Sequence, residues 1–211
     1  MLLFRALSAL ISYPSQAMRD ALPEIAGVVR ATPLLAGRER RELIALVDEL
    51  GRGDLLTAEE SYVDLFDRGR ALSLNLFEHL HGDSRDRGEA MVDLKQVYAQ
   101  AGFELSASEL PDYLPVVLEY LSCRDLGEAR EMLADCAHIL ATIARSLIAR
   151  RSRYAAVLQA LLVIAGEAPI DAAAIPPAGE RRESLDREWA EQPAFAGAPE
   201  PAAPASGTSG P

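Results

Sequence analysis

The densest run of side chains able to do chemistry lies between Asp67 and Asp93, where histidines, acids and arginines alternate. His79 and His81 stand two residues apart, and imidazole nitrogen together with carboxylate oxygen is a donor set that zinc and related metals use. The carboxylates next to them are Glu78, Asp83 and Asp86. Because residues two apart on a helix point to different sides, His79 and His81 could converge on a metal only if a helix ended between them. A metal site is the first of three interpretations of this segment.

General acid–base catalysis by the same histidines and carboxylates is the second interpretation. Such chemistry is usually accompanied by a nucleophile or by a loop that holds phosphate. No Ser, Cys or Lys nucleophile is recognisable beside these residues, and the sequence has no glycine-rich phosphate loop. This segment therefore lacks both the nucleophile and the phosphate-binding loop that usually accompany such catalysis.

A polar groove that binds a segment of another protein is the third interpretation. The arginines of this segment alternate with acids, and mixed charge of this kind orients peptides and protein surfaces. These arginines are Arg68, Arg70, Arg85 and Arg87. A network of surface salt bridges around two turns would give the same pattern without binding a partner, and each such bridge contributes little stability. Both explanations stay open.

The elements that position these side chains are predicted to be helices throughout. Apolar residues recur at three- and four-residue spacing, beginning with Leu3, Leu7, Leu10 and Ile11. After this first helix we predict helices over residues 15–30 and 38–50, a helix capped by Thr57 with Glu60, and a helical period over 72–80. A turn at 81–84 is followed by a helix over 84–101 and by a helix that begins at a cap formed by Ser106 with Glu109. The last two predicted helices cover residues 126–151 and 154–166. The prediction is an all-α fold with a single compact domain of about eight or nine helices over residues 1–166.

The segment from residue 167 to 211 differs in composition, since it is rich in Pro, Gly and Ala. It can bury too little apolar surface to offset its ordering entropy, which predicts a flexible tail. Residues 184–193 are the exception, because they could form a short helix that includes the single tryptophan, Trp189. Trp189 is either a weak docking point for a partner or an apolar residue in a linker.

The charge balance limits the class of partner. The chain has 211 residues with 32 acids against 21 lysines and arginines, a net charge of −11. Generic nucleic-acid binding needs a basic surface, so this net charge argues against it. Arg5 within the first apolar run argues against a secretion signal, and no stretch reaches the length of a membrane span. We therefore expect a cytoplasmic protein.

The central segment resembles the NarJ-type chaperones, which are assembly chaperones of respiratory nitrate reductase. The resemblance rests on residues 62–70 and 73–88, which read YVDLFDRGR and SLNLFEHLHGDSRDRG. Supporting stretches lie at residues 10–14, 90–94, 109–121 and 185–193. The similarity therefore extends over nearly the whole body of the chain.

The resemblance implies a chaperone rather than an enzyme. Members of the wider group, which includes the TorD- and DmsD-like chaperones, are all-helical and bind the apo catalytic subunit of a molybdoenzyme, often through its N-terminal segment. They keep that client competent for insertion of its bis-molybdopterin guanine dinucleotide cofactor and delay its docking onto the membrane anchor. The resemblance also implies no stably bound cofactor, no membrane insertion of the chaperone itself, and molybdenum cofactor biosynthesis proteins as further partners.

The client-binding surface is predicted to be an aromatic groove with a charged rim that binds reversibly. The suspected client-binding residues are Tyr13, Tyr62, Phe66, Asp67, Arg68, Arg70, Phe77, Glu78, His79, His81, Arg85, Asp86, Arg87, Pro111, Asp112 and Tyr113. The wider group often has Pro-x-Asp-His where this chain has Pro111-Asp112-Tyr113. A tyrosine does not titrate near neutral pH, so no histidine role is transferred to that position.

Two other classes of function stay open beside the chaperone. The first is a metal-dependent helical enzyme that uses His79, His81 and the nearby acids. The second is a general helical scaffold whose partners are unrelated to molybdoenzymes. Cys123 and Cys136 favour neither class, because Cys136 falls on an apolar helix face and Cys123 follows a helix end.

Overall fold

The structure is a computed structural model that describes residues 1–81, 85–106 and 109–178. Within these ranges the chain forms α-helices joined by short turns, with an isolated antiparallel bridge between Asn75 and Tyr113 and no β-strand. The helices are α1 (Leu2–Ile11), α2 (Gln16–Ala31), α3 (Gly37–Gly51), α4 (Leu55–Phe66), α5 (Leu76–His81), α6 (Arg85–Gln100), α7 (Leu114–Ser122), α8 (Leu126–Asp135), α9 (Ala137–Ala149) and α10 (Ala155–Ala165). The predicted all-α fold is confirmed.

Helices α1 and α7 pack along each other and form one side of the apolar core. The fully buried residues of this pair include Phe4, Leu7, Leu10, Leu114 and Leu118. The Ser8 hydroxyl donates to the Pro115 carbonyl oxygen at 2.9 Å, so the polar group within this contact is also satisfied. Helix α1 ends at Ile11 because Ser12 adopts an extended conformation ahead of Pro14.

Helix α10 lies at the centre of the packing and contacts α1, α3, α8 and α9. Its sequence is almost entirely apolar, so it can be buried on all sides, and Val157, Leu158 and Leu161 are fully buried. Gly166 ends the helix with a φ of 96°, a left-handed conformation that glycine adopts without strain. The helix predicted over residues 154–166 is confirmed.

The single helix predicted over residues 126–151 is wrong. The chain forms α8 and α9 instead, bent by 69° at Cys136. The Cys136 Sγ lies 3.4 Å from the Met132 carbonyl oxygen and 3.5 Å from that of Leu133. The bend lets both helices pack against α10. The sequence does not show this break, because apolar residues continue at helical spacing on both sides of it.

Both predicted capping boxes are also wrong. Helix α4 begins after Asp54, so Thr57 lies inside it. Helix α7 begins only at Leu114, five residues after Glu109, whose amide donates to the Ser106 carbonyl oxygen. The start of α7 is set by the antiparallel bridge immediately before it, which a local pattern of serine and acid does not reveal.

The segment between α4 and α6 is only partly helical. The helical period predicted over residues 72–80 becomes a 3₁₀ turn at Arg70–Leu72, an extended stretch and the short helix α5. Helix α6 confirms the helix predicted over residues 84–101. The turn predicted at 81–84 falls largely on residues 82–84, which lie outside the described residues.

The compact unit that contains these helices extends to Ala178, past the predicted boundary at residue 166. Residues after α10 stay close to it, because the Gln159 side-chain amide and the Ile170 backbone exchange two hydrogen bonds of 2.9 Å. A second 3₁₀ turn follows at Ala172–Ala174. The predicted segment 184–193 with Trp189 lies outside the described residues and stays a prediction.

Individually, none of the helices in the described part of the chain is long and apolar enough to cross a membrane. Helices α8 and α9 taken together meet the length and composition required, across their 69° bend. Leu133, Leu140 and Leu147 of these two helices are fully buried within the fold.

Candidate functional site

Tyr62 of α4 joins three parts of the chain through its hydroxyl group. This hydroxyl donates to the Ile11 carbonyl oxygen at 2.9 Å and lies 3.1 Å from the Tyr113 hydroxyl. Because its single proton is directed to Ile11, Tyr113 supplies the proton of the second bond. Burial raises the pKa of Tyr62 well above its ordinary value, and the Tyr113 hydroxyl adds to this effect. Tyr62 therefore acts as a neutral link between the ends of α1 and α4 and the start of α7.

Three aromatic rings surround Tyr62 and form with it what we call the aromatic cluster (Tyr13, Tyr62, Phe66 and Tyr154). The ring centroids of Tyr13, Phe66 and Tyr154 lie 5.6, 4.6 and 5.9 Å from that of Tyr62. Tyr13 is 49% exposed, whereas the other three are buried. Tyr154 was not among the predicted site residues, since no local pattern connects the start of α10 with α4. Of the four rings in the cluster, that of Tyr13 is therefore the one exposed at the surface.

Two short stretches of backbone pair beside this cluster, and we call them together the anchor (residues 74–77 and 112–114). The Leu114 amide donates to the Leu74 carbonyl oxygen at 2.8 Å, and the Leu76 amide donates to the Asp112 carbonyl oxygen at 3.0 Å. The Asp112 side chain continues the pairing, because its Oδ2 accepts the Phe77 amide at 3.0 Å. The anchor joins the two ends of the segment from residue 76 to residue 112, which contains α5 and α6 and which we call the excursion.

Asp112 is the most enclosed acid of the site, with 0% of its surface exposed. Its Oδ1 has no hydrogen-bond partner among the described residues. Burial raises the pKa of this carboxyl, while the Phe77 amide and the Arg87 guanidinium oppose the shift and Glu78 adds to it. A buried carboxylate that holds a backbone amide is a positioning group, because it fixes the start of α5 relative to α7.

Glu78 and Arg87 connect α5 to α6 by a partly buried ion pair of 3.3 Å. Burial acts to raise the pKa of Glu78, but contacts with Ser73 and with Arg87 hold the pKa below its usual value. The carboxylate therefore stays charged and keeps its bond to Arg87 over the neutral range. The pair turns the Arg87 side chain toward the body of the protein.

His79 faces the backbone of the same segment. One of its ring nitrogens, Nε2, lies 2.9 Å from the Ser73 carbonyl oxygen. The side chain of His81 lies outside what the structure describes. Within the described residues, no group of three or more His, Cys, Asp or Glu side chains is arranged to hold a metal ion.

A second group of aromatic rings packs around Tyr98, near the C-terminal end of α6. The Tyr98 hydroxyl of α6 donates to the Pro111 carbonyl oxygen at 2.8 Å. Its ring packs against those of Phe103 and Tyr120, with centroid distances of 5.5 and 4.6 Å. Tyr98 is fully buried, so α6 is fastened to the residue just before Asp112. Tyr98 is not among the residues that the sequence predicted for the site.

The predicted client-binding residues of groove and rim divide into buried and exposed side chains. Tyr62, Phe66, Pro111 and Asp112 are buried, and Phe77, Glu78, His79, Arg87 and Tyr113 are partly buried. The exposed members whose side chains are described are Tyr13, Asp67, Arg68, Arg70 and Asp86. The side chains of His81 and Arg85 lie outside the described residues.

The exposed members make few bonds that would prevent them from meeting a partner. Arg68 forms an exposed ion pair of 2.9 Å with Asp64, and Arg70 donates to the Glu78 carbonyl oxygen at 3.3 Å. Exposed pairs of this kind contribute little and exchange readily. The structure brings Asp67, Arg68 and Arg70 together at the end of α4, next to the anchor, and places Asp86 on α6.

The cysteines lie apart from these residues. Burial raises the pKa of the Cys136 thiol to about 12. Cys136 is therefore an unreactive thiol at the helix break, as expected of a core cysteine. Cys123 is exposed after the end of α7, where the sequence predicted it.

The family model described as nitrate reductase delta subunit matches residues 16–159. The nitrate reductase molybdenum cofactor assembly chaperone NarJ of Escherichia coli K12 is 43% identical over 190 residues, which cover 88% of this chain and 80% of that protein. The probable chaperone NarW of the same strain is 34% identical over 197 residues, covering 91% and 82%. The probable NarJ of Bacillus subtilis 168 is 31% identical over 160 residues, covering 75% and 85%.

These relatives define a class, the molybdenum cofactor assembly chaperones, and their names describe chaperones rather than catalysts. Within that class, the chain belongs to the nitrate reductase delta subunit family. The resemblance predicted from residues 62–70 and 73–88 is confirmed, as is the expectation of a chaperone instead of an enzyme.

Proposed function

We propose that this chain is an assembly chaperone that binds the apo catalytic subunit of a respiratory nitrate reductase. The observation that supports it most strongly is the 43% identity to a nitrate reductase molybdenum cofactor assembly chaperone over 88% of the chain. In this proposal the chaperone acts in the cytoplasm, on the N-terminal segment of the client. It keeps the client competent for insertion of bis-molybdopterin guanine dinucleotide and delays membrane docking until insertion is complete.

The mechanism we propose is reversible binding without covalent chemistry. The exposed Tyr13 ring supplies an apolar contact, and Asp67, Arg68 and Arg70 supply charges of both signs beside it. Charges at the edge of an interface mainly set the encounter rate and the orientation of the partner. A client held in this way can leave once its cofactor is inserted, which a chaperone requires.

The buried members of the predicted set have a different part in this proposal. Tyr62, Asp112 and the backbone bonds of the anchor hold α1, α4, α5 and α7 in one arrangement. A binding surface that is already ordered loses less conformational entropy when it binds. These groups act by positioning the exposed side chains, and the cofactor itself is held by the client instead of by this chain.

A capture experiment tests the proposal. The tagged full-length chain is purified from fermenting cells that are exposed to nitrate and cannot make the molybdenum cofactor, and bound proteins are identified by mass spectrometry. We expect a catalytic subunit of nitrate reductase in about equal amount to the chaperone, and loss of capture when the N-terminal segment of that subunit is deleted. Capture without any molybdoenzyme subunit would contradict the proposal.

The rim is tested by Asp67→Ala combined with Arg68→Ala. We expect weaker client capture with unchanged helicity, because both side chains are exposed at the end of α4. The matched control is Asp48→Ala with Arg52→Ala, which removes an exposed acid of α3 and the exposed arginine that follows this helix. If the two double variants capture the client equally well, the rim is not part of the interface.

A further inference from the structure

Exposed apolar side chains are concentrated in one stretch of the described chain. Seven large apolar residues are exposed in the described ranges, and four of them lie between residues 80 and 110. These four are Leu80, Val92, Val97 and Leu110, each 44 to 54% exposed. Single exposed apolar residues are ordinary, whereas a concentration of them marks an interaction surface. The segment that contains them is the excursion whose base the anchor closes.

Helix α6 provides the continuous part of this surface. Its inner side turns Arg87 and Tyr98 toward the body, by the ion pair to Glu78 and the bond to Pro111. The residues opposite them at helical spacing are exposed and form what we call the α6 stripe: Asp86, Glu89, Val92, Asp93 and Val97. At 1.5 Å per residue the stripe is about 16 Å long, which is three turns of helix.

The three charged members of the α6 stripe are all acids, while the side chain of Arg85, four residues before Glu89, lies outside the described residues. Asp86 and Glu89 are three residues apart and Glu89 and Asp93 are four apart, so like charges face each other along the helix. Such pairs destabilise an isolated helix. The Arg87 guanidinium is turned inward to Glu78, and the three acids form no ion pair with any described residue. A basic partner would remove this repulsion.

We propose that the α6 stripe is a docking surface for a basic, amphipathic segment of the client polypeptide. The valines at the two flanks match an apolar side of such a segment, and the acids between them match its lysines or arginines. The net charge of −11 also attracts a basic segment from a distance. This inference rests on the proposed chaperone function and adds to it the outer face of α6, which shares Asp86 with the predicted client-binding residues.

The anchor explains how α6 can act as a firm surface. The ends of the excursion are joined through the bonds of Asp112 to Leu76 and Phe77, and Tyr98 fastens α6 to Pro111. A partner that binds the stripe therefore meets a helix that is already positioned, and less order has to be gained on binding.

Charge reversal of the stripe, by Glu89→Lys with Asp93→Lys in the full-length chain, tests the inference in the same capture experiment. We expect client capture to fall by about tenfold, with a weaker dependence on salt than in the wild type. The matched control is Glu131→Lys with Asp135→Lys, since these acids are also exposed and four apart, on α8. Circular dichroism confirms that both variants keep the helicity of the wild type.

The apolar half of the stripe is tested separately. Val92→Ser with Val97→Ser should weaken capture, whereas Leu56→Ser, at an exposed leucine of α4, should leave it unchanged. A photo-reactive benzoylphenylalanine in place of Val97 should crosslink to a client peptide rich in lysine and arginine. A crosslink to a second copy of this chain, or to an acidic client segment, would overturn the inference.

The two proposals fail in different ways. If the wild type captures the catalytic subunit and the stripe variants capture it equally well, the α6 stripe is not a docking surface and the chaperone function stands. If the wild type captures no molybdoenzyme subunit, the chaperone function is wrong and the inference that rests on it is overturned as well.

Discussion

The core and the anchor of this protein are stabilised in different ways. In the core, α1, α7 and α10 bury apolar side chains such as Phe4, Leu118 and Leu161 completely. The stabilisation is spread over many contacts and scales with the area removed from water. In the anchor, a few directional bonds around the buried Asp112 determine the arrangement. There, loss of one group leaves a buried polar atom without a hydrogen-bond partner, and this lowers the free energy of unfolding by more than the bond had contributed.

This contrast shows where a specific surface can be built. Apolar packing tolerates substitution if volume is preserved. It therefore determines the burial of a helix more strictly than the orientation of that helix. Hydrogen bonds require defined distances and angles. The anchor therefore holds α5 and α6 at a defined position, and Phe77, Asp112 and Tyr113 of the predicted client-binding set are part of it.

The largest effect is expected from the core. Phe4→Ala removes a fully buried ring from the contact of α1 with α7 and should lower the free energy of unfolding by about 3–5 kcal/mol. Urea denaturation followed by circular dichroism measures the loss, and the whole helical signal should shift together. A loss below about 1 kcal/mol would show that α1 is not an integral part of the core.

The next largest effect is expected at the anchor. Asp112→Ala removes the side-chain acceptor of the Phe77 amide at a fully buried position and should cost about 1–3 kcal/mol. Hydrogen exchange should increase mainly in α5, while α1 and α10 stay protected. Asp125→Ala is the comparison, because Asp125 accepts the Glu128 amide at an exposed site where water can replace it. Equal losses for the two variants would contradict the importance of burial at Asp112.

The raised pKa of Asp112 also predicts a dependence on pH. Burial disfavours the charged carboxylate in the folded chain, and this penalty fades as the pH falls through the raised pKa toward the ordinary value of 3.8. Asp112→Asn keeps an oxygen acceptor for Phe77 and has no such penalty. The stability of the wild type relative to Asp112→Asn should therefore increase from neutral pH to about pH 4, as measured by urea denaturation. A decrease over this interval would show that the charged form is the favoured one.

The smallest effect is expected at Tyr62, where core and anchor meet. Tyr62→Phe keeps the ring beside Phe66 but removes the bonds to Ile11 and Tyr113, and should cost about 0.5–1.5 kcal/mol. Tyr154→Phe is the matched control, because the Tyr154 hydroxyl forms no hydrogen bond among the described residues. If both variants lose the same stability in urea denaturation, the hydroxyl of Tyr62 contributes nothing beyond its ring.

The helices were predictable wherever the apolar pattern agreed with the local stop signals. Helix α1 ends before Pro14, and α10 ends at Gly166 with its left-handed conformation. The capping boxes at Thr57 and Ser106 failed, because the same residue pattern occurs inside helices and turns. The break at Cys136 was not visible, because apolar spacing continues through it. Local rules therefore succeed where only the nearest neighbours decide the backbone.

The candidate site was predictable only as a set of residues. The sequence drew attention to Tyr62, Asp112 and Tyr113 as suspected client contacts, and the structure brings these three together. It did not indicate that Asp112 is fully buried or that Tyr154 packs against Tyr62. Burial and ring contacts of this kind join residues far apart in the chain, so no local spacing predicts them.

The sequence by itself determined the helical class, through apolar residues at helical spacing, and the family, through the stretches at residues 62–70 and 73–88. The tertiary structure alone decided that α8 and α9 bend apart, that residues 74–77 pair with 112–114, and that α6 presents acids and valines outward. The physical reason is that helix formation depends on neighbours within a turn or two. The bend, the pairing and the exposed face depend instead on which distant surfaces compete for the same buried space.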